Sequence, residues 1–298
     1  MIDGILNINK STGMTSHDVV AKVRKLLKQK RVGHAGTLDP AASGVLPICV
    51  GQGTRVAEYL SESGKAYAAD ILFGVVTDTY DAEGTIVRTA STENLTLEQL
   101  QKALTGFLGP QMQMPPLYSA IKLQGQPAYK RMRAGEEITL EPRPIVLTQL
   151  NILAWQPPQL TLAIECSKGT YIRSLAYDLG ERLGCGAHLA GLIRTRNGPF
   201  MLSDSITLDQ LAEAAENGNV EQYLHAADSV LQHYPALTLD TAITERVLHG
   251  NAFPYATDDI ETTAESARVY DANGRFVAIA EWDAERGMWQ PTKVFFGV

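Results

Sequence analysis

The chain has 298 residues, 45% of them hydrophobic and 20% charged, with a formal net charge of −7, enough length for one large domain and a small one. No apolar run is long enough to span a bilayer, and Met1–Asn7 lacks the basic region and long apolar core of a signal peptide. The odd set of Cys49, Cys166 and Cys185 contains no CxxC pair, which argues against a structural zinc and predicts buried or half-buried thiols in a reducing, cytoplasmic setting.

In chain order, Ile5–Asn9 alternates as a short strand. Thr15-Ser16-His17-Asp18 has capping-box spacing and starts a helix. Val19, Val20, Val23, Leu26 and Leu27 make its apolar face, and Lys22, Arg24, Lys25 and Lys28 lie opposite. Next comes Gly33-His34-Ala35-Gly36-Thr37-Leu38-Asp39-Pro40, one carboxylate in a glycine-rich turn. Pro40 pushes Asp39 out of the α region, and Gly33 and Gly36 permit backbone angles that other residues resist. Asp-Pro also fits a helix start, with Asp as N-cap and Pro at the first helical position.

Residues 66–76, 145–154 and 160–167 read as strands, and 96–106 and 172–183 as helices. Strands in hairpin-like succession with helices between them predict a mixed α+β domain around an antiparallel-rich sheet. Residues 207–232 look helical, with the turn-like Asn217-Gly218-Asn219 inside. From Pro235 the composition shifts to one helix, 242–249, and β runs at 267–270, 276–282 and 288–296, with Asn273-Gly274 as a hairpin turn. The expected division is 1–234 and a small β-rich module, 235–298.

The negative charge is uneven. Residues 258–285 hold eight acids against Arg268 and Arg275, whereas no acid lies between Asp18 and Asp39 or between Glu98 and Glu136. Those acid-free stretches carry Lys22, Arg24, Lys25, Lys122 and Lys130. They read either as anion-facing surfaces or as solvated helix faces.

The run from Gly33 to Pro47 resembles the catalytic-loop signature of the TruB family of tRNA pseudouridine synthases. Lys168-Gly169-Thr170-Tyr171-Ile172-Arg173, Lys65-Ala66-Tyr67, Gly74–Gly84, Pro115–Lys122 and Gly191–Arg196 resemble further family segments in the same order. The resemblance implies a pseudouridine-synthase fold over residues 5 to about 200, followed by a PUA-like RNA-binding module. It implies isomerisation of uridine 55 in the T-loop of tRNA by base flipping. The essential carboxylate would be Asp39, oriented by Arg173, with the Tyr67 ring stacked on the extruded base. Tyr171 and Leu192 would wall the pocket, His34 would fill the space left by the base, and Lys10 would stand near the pocket. The family's proline after that lysine is Ser11 here.

On the same resemblance, the Pro115–Lys122 region and Lys130 contact RNA, and Arg194 and Arg196 suit phosphate oxygens. Asp78, Asp81 and Glu83 suggest a metal loop by composition, but their spacing is not that of an EF-hand and a turn is expected. Ser63-Gly64-Lys65 lacks the upstream glycine of a P-loop, and HExxH and GxSxG are missing. No cofactor, metal or protein partner is implied, and a monomer is expected. Two other readings stay open: a non-catalytic tRNA-binding or folding protein, and a catalytic subunit directed by a guide RNA.

Overall fold

A computed structural model of the chain describes residues 2–119, 121–123, 125–133, 135–136, 138–255 and 265–295. The chain opens with β1 (Gly4–Lys10), α1 (Ser16–Leu26), β2 (Val32–His34), β3 (Ser43–Val50) and α2 (Ala57–Glu62). There follow β4 (Lys65–Phe73), the short hairpin β5 (Val75–Thr77) and β6 (Ile86–Thr89), α3 (Leu97–Thr105) and β7 (Gly109–Gln113). A two-residue hairpin, β8 (Lys122–Leu123) and β9 (Gln126–Pro127), leads to α4 (Ala128–Arg133), then to β10 (Arg143–Gln156), β11 (Gln159–Cys166) and α5 (Ile172–Arg182). β12 (Ala187–Asn197), β13 (Phe200–Met201), α6 (Leu208–Glu216) and β14 (Leu224–His225) complete the large body. The remainder is β15 (Ala236–Thr238), α7 (Thr241–Leu248), β16 (Ser266–Tyr270), β17 (Phe276–Asp283) and β18 (Met288–Val294).

One sheet organises the large body in the order β14-β1-β3-β12-β4-β11-β10-β7, with β2 added to β3 and β13 to β12. Its pairings are antiparallel except β3 with β12, where Ile193 faces Ser43 and Arg194 faces Gly44. The mixed, antiparallel-rich sheet is the one expected from the strand succession.

Its two halves are packed differently. On β4, burial alternates, so Tyr67, Ala69, Ile71 and Phe73 point to one face and meet Leu100 and Leu104 of α3 and Leu175 and Leu179 of α5. On β1 both faces are covered. Leu6 and Ile8 pack on Val19 and Val23 of α1, while Ile5 joins Val45, Val56 and Leu60 on the other side. Each large aliphatic side chain buried this way contributes about 1.5–3 kcal/mol.

Local chemistry sets the helix starts. Thr15 caps α1 and Thr96 caps α3, each through a reciprocal capping box, satisfying N–H groups that the first turn leaves unpaired. Two expected boundaries shift. The 66–76 strand breaks at Gly74, whose φ of +86° ends β4 and starts the β5–β6 hairpin. The 207–232 helix stops at Glu216; beyond Gly218, at φ +72°, short 3-10 turns flank the two-residue β14. A helix start at Asp39 is also overturned. The Ala42 N–H donates to Asp39 O at 3.1 Å, and this tight turn runs straight into β3.

The second sheet has the order β15-β16-β17-β18, and its β16–β17 hairpin turns at Asp271–Gly274, where the Gly274 N–H donates to Asp271 O at 2.9 Å. It docks on the large body through Ile279 and Phe295, which share a cluster with Ile5, Val45 and Leu60. Lys293 fixes the contact by donating to Arg55 O at 2.9 Å and pairing with Glu58.

Candidate active site

The Asp39 loop, between β2 and β3, has nearly every carbonyl claimed. Asn197 Nδ2 donates to Ala35 O at 2.9 Å. Arg194 donates from Nη2 to Gly36 O at 2.9 Å and from Nη1 to Thr37 O at 3.3 Å, while its Nε reaches Val45 O at 2.7 Å. Ser16 Oγ donates to Leu38 O at 3.0 Å and accepts from Leu38 N at 2.9 Å. Pro40 O receives the Gly13 N–H at 2.9 Å and Lys10 Nζ at 3.3 Å. A loop whose backbone polar groups are paired this completely holds its side chains at fixed angles.

Glycine is required at two points. Gly36 has φ +85°. Gly44 has φ +102°, and a Cβ there would lie 2.3 Å from Arg194 O, so only glycine lets β3 run this close to β12. Gly33 proves ordinary: it sits in β2 opposite Cys49.

Arg173 comes from the first turn of α5. After β11 the chain turns at Gly169, at φ +77°, and re-enters a helix at Ile172. Gln113 of β7 clamps this entry, donating to Tyr171 O at 3.0 Å and accepting from Tyr171 N at 2.8 Å. The Arg173 guanidinium is almost buried, and its Nη2 stands 3.1 Å from Asp39 Oδ2. Its Nη1 stands 3.4 Å from Asp81 Oδ2. Backbone carbonyls of Tyr118, at 3.0 Å, and Thr79, at 3.4 Å, take further N–H bonds. A bidentate grip on Asp39 is therefore not what forms; the guanidinium bridges two carboxylates.

Asp39, with 45% of its side chain exposed, faces a cleft of about 360 Å³ lined by Tyr67, Tyr171, Arg173, Leu192 and Lys65 among others. Tyr67 is buried, and burial pushes its phenol up. The Tyr171 phenol rises for the same reason. Five residues singled out in the sequence, Asp39, Tyr67, Arg173, Tyr171 and Leu192, thus meet in one place although they come from β4, β12, the α5 start and a loop.

Arg194 and Arg196 do not match their expected places, and Lys10 stands near the cleft without lining it. Lys10 is fully buried and does not line the cleft; its Nζ donates to Ser11, Met14 and Pro40 carbonyls, bracing the loop from behind. Arg194 is also buried, at 1% exposure, so it cannot grip phosphate; it lines the cleft floor and binds the loop. Arg196 pairs with Glu165 at 2.9 Å. His34 is half-buried, edge-on to the His17 ring at 5.3 Å. Its Nδ1 finds no partner among the described residues, and burial lowers its pKa to about 4.

Lys22 and Lys25 of α1 and Lys28 just beyond its end border a groove of about 600 Å³ that Asp209 and Glu216 of α6 face from the other side. Arg24 donates to Val32 O at 2.7 Å. The side chains of Lys122 and Lys130 lie outside the described residues.

Two site residues escaped the sequence reading. Asp81 sat in the segment read as a turn, and a turn it is; the signal missed was an acid preceded by Thr77 and Thr79, whose hydroxyls donate to Asp81 O and Oδ1. Lys65 lines the cleft with Nζ bound to Ser61 O at 3.1 Å and Ser63 O at 2.9 Å, and burial lowers its pKa to about 8. Among the described residues no cluster of three His, Cys, Asp or Glu could hold a metal. The cleft instead offers one oriented carboxylate, an aromatic wall and a floor formed by the buried Arg194.

The sequence profile of the TruB family pseudouridylate synthase N-terminal domain matches residues 24–172, and that of the tRNA pseudouridylate synthase B C-terminal domain matches 173–232. The tRNA pseudouridine synthase B of Dehalococcoides mccartyi is 44% identical over 99% of this chain and 97% of its own length. That of Geobacter sulfurreducens is 41% identical over 97% and 95%. Among solved structures, a Cbf5-Nop10-Gar1 complex aligns with TM-score 0.76 and 26% identity over 98% of this chain and 85% of that one.

Proposed function

The chain belongs to the TruB family of pseudouridylate synthases, and from that premise we propose that it isomerises uridine to pseudouridine in tRNA, in the T-loop at the position conventionally numbered 55, with Asp39 as the essential carboxylate. The observation that carries this reading is the Asp39–Arg173 contact at 3.1 Å on the wall of the cleft. The reaction breaks N1–C1′, turns the uracil and forms C5–C1′; C5 gives up its proton and N1 gains one. No electrons are exchanged, so no redox partner is needed.

Asp39 supplies an oxygen for C1′ attack or for taking the C2′ proton, and both routes need it fixed and unprotonated. Arg173 holds the carboxylate in place. Tyr67, Tyr171 and Leu192 enclose the detached uracil so that it turns without escaping. A base reaches such a cleft only by leaving its stack. A non-catalytic reading leaves the assembled Arg173–Asp39 pair without a purpose. On this reading residues 1–234 form the catalytic part and 235–298 a PUA-like module, supported by the second sheet beginning at Ala236. The buried, free thiols of Cys49, Cys166 and Cys185 fit a reducing cytoplasm.

The test is to incubate the protein with an unmodified tRNA transcript and map pseudouridine along it. A single new pseudouridine at position 55 is expected. Modification at another uridine would overturn the positional assignment, and none at all would overturn the activity.

A further inference from the structure

Helix α5 grips the 77–84 turn with two side chains, one helical turn apart. Arg173 is the first. Tyr177, four residues on and so on the same face of the helix, is the second; its ring stacks on Tyr80 with centroids 4.0 Å apart and planes 20° from parallel. Tyr80 stands between the two residues that supply Arg173 with oxygens, Thr79 through its carbonyl and Asp81 through its carboxylate, each at 3.4 Å.

Tyr80 has φ +63°. A side chain with a Cβ resists this left-handed backbone, and a bulky aromatic resists it strongly. Such a conformation persists only when its surroundings enforce it. Here the Tyr80 carbonyl accepts the Leu189 N–H at 3.0 Å and the Tyr80 N–H donates to Thr77 O at 3.3 Å. The stacked, half-buried ring provides the remaining hold. The chain reversal at Tyr80 turns the oxygens on either side of it toward one guanidinium. Neither tyrosine lines the cleft.

We propose that Tyr80 and Tyr177 are positioning residues: their stack fixes the strained turn, and the turn aims Arg173 at Asp39. The inference rests on the function proposed above for its effect on rate, while its geometric content stands independently. It concerns ring packing, so the phenol oxygens are dispensable.

The experiment compares Tyr177→Ala, Tyr177→Phe and Tyr80→Gly, the last tolerating positive φ without the ring. Expected at saturating tRNA is a single-turnover isomerisation rate lowered at least about tenfold in Tyr177→Ala and in Tyr80→Gly, as small misplacements of reacting groups produce. The tRNA Kd should stay within about twofold, and Tyr177→Phe should recover nearly the full rate. A crystal structure of whichever of Tyr177→Ala and Tyr80→Gly folds should place Arg173 Nη2 beyond hydrogen-bond reach of Asp39, about 3.5 Å. An unchanged Arg173–Asp39 contact overturns the proposal whatever the activity. Wild-type rates in both ring-deleted variants, or a Tyr177→Phe as slow as Tyr177→Ala, overturn it too. If the wild type itself isomerises nothing, the proposed function falls and the crystallographic comparison still decides the role of the stack.

Discussion

Arg173 meets Asp39 through a single contact, Nη2 to Oδ2 at 3.1 Å, and its Nη1 is turned to Asp81. The guanidinium is therefore held from behind by one carboxylate and presents the other to the cleft. A point charge on a flexible stem cannot do both.

Arg173→Lys is expected to lower the isomerisation rate roughly 100-fold or more, with tRNA affinity little changed, because a misplaced carboxylate costs rate rather than binding. Asp81→Asn should lower the rate by a smaller factor, about tenfold, since the amide oxygen still accepts from Arg173 but without charge. Single-turnover kinetics on both variants, with tRNA binding measured in parallel, checks the order.

Gly44→Ala should destabilise the protein by roughly 2–4 kcal/mol. The backbone there is left-handed, and the added Cβ would lie 2.3 Å from Arg194 O, so β3 must separate from β12 at the point where the Asp39 loop joins the sheet. Denaturant unfolding measures the change. A near-wild-type midpoint would contradict the close approach.

His34 gives a pH signature. Its folded pKa is lowered to about 4 by burial, below the ordinary value of about 6.5. Between these values the unfolded chain binds a proton that the folded protein refuses, so stability rises with pH across that window and falls as pH drops through it. Relative to His34→Leu, the wild type should lose about 2 kcal/mol between pH 6.5 and 4, the full shift being discounted for the ring's partial exposure. Parallel unfolding curves of the two proteins over that range would contradict it.

The basic face of α1 is exposed along Lys22 and Lys25, but Asp209 and Glu216 of α6 face the same groove. If the lysines contact tRNA phosphates, Lys22→Gln with Lys25→Gln should reduce the slope of log affinity against log salt by about one to two. Fluorescence binding at several salt concentrations reads this directly; an identical slope would place the phosphates elsewhere.

Much of the frame was readable in local chemistry. The capping threonines Thr15 and Thr96, the period-two burial of β4 and the Asn273-Gly274 turn each follow from a few adjacent residues. The site was readable mainly through family resemblance, because the Asp39 loop, Tyr67 and Arg173 are brought together by sheet order, which no local pattern encodes. Where charge alone guided the reading it misled. Arg194 looks like a phosphate ligand in sequence, yet its place in β12 beside Gly44 buries it among three carbonyls. Lys10, placed near the pocket by the resemblance, is likewise buried, on β1, and braces the Asp39 loop from behind. Asp81 was passed over because its partner, Arg173, lies on a helix far along the chain.

The central claim is that Asp39 carries isomerisation of a tRNA uridine, and the most direct test is hydrogen release from C5-tritiated uridine in an unmodified tRNA, wild type against Asp39→Asn. Forming the C5–C1′ bond expels that hydrogen, so wild type should release tritium stoichiometrically with the uridine modified, and Asp39→Asn should release none while still binding tRNA. Release by Asp39→Asn at the wild-type rate would contradict the assignment of the carboxylate, and no release by either would contradict the reaction itself.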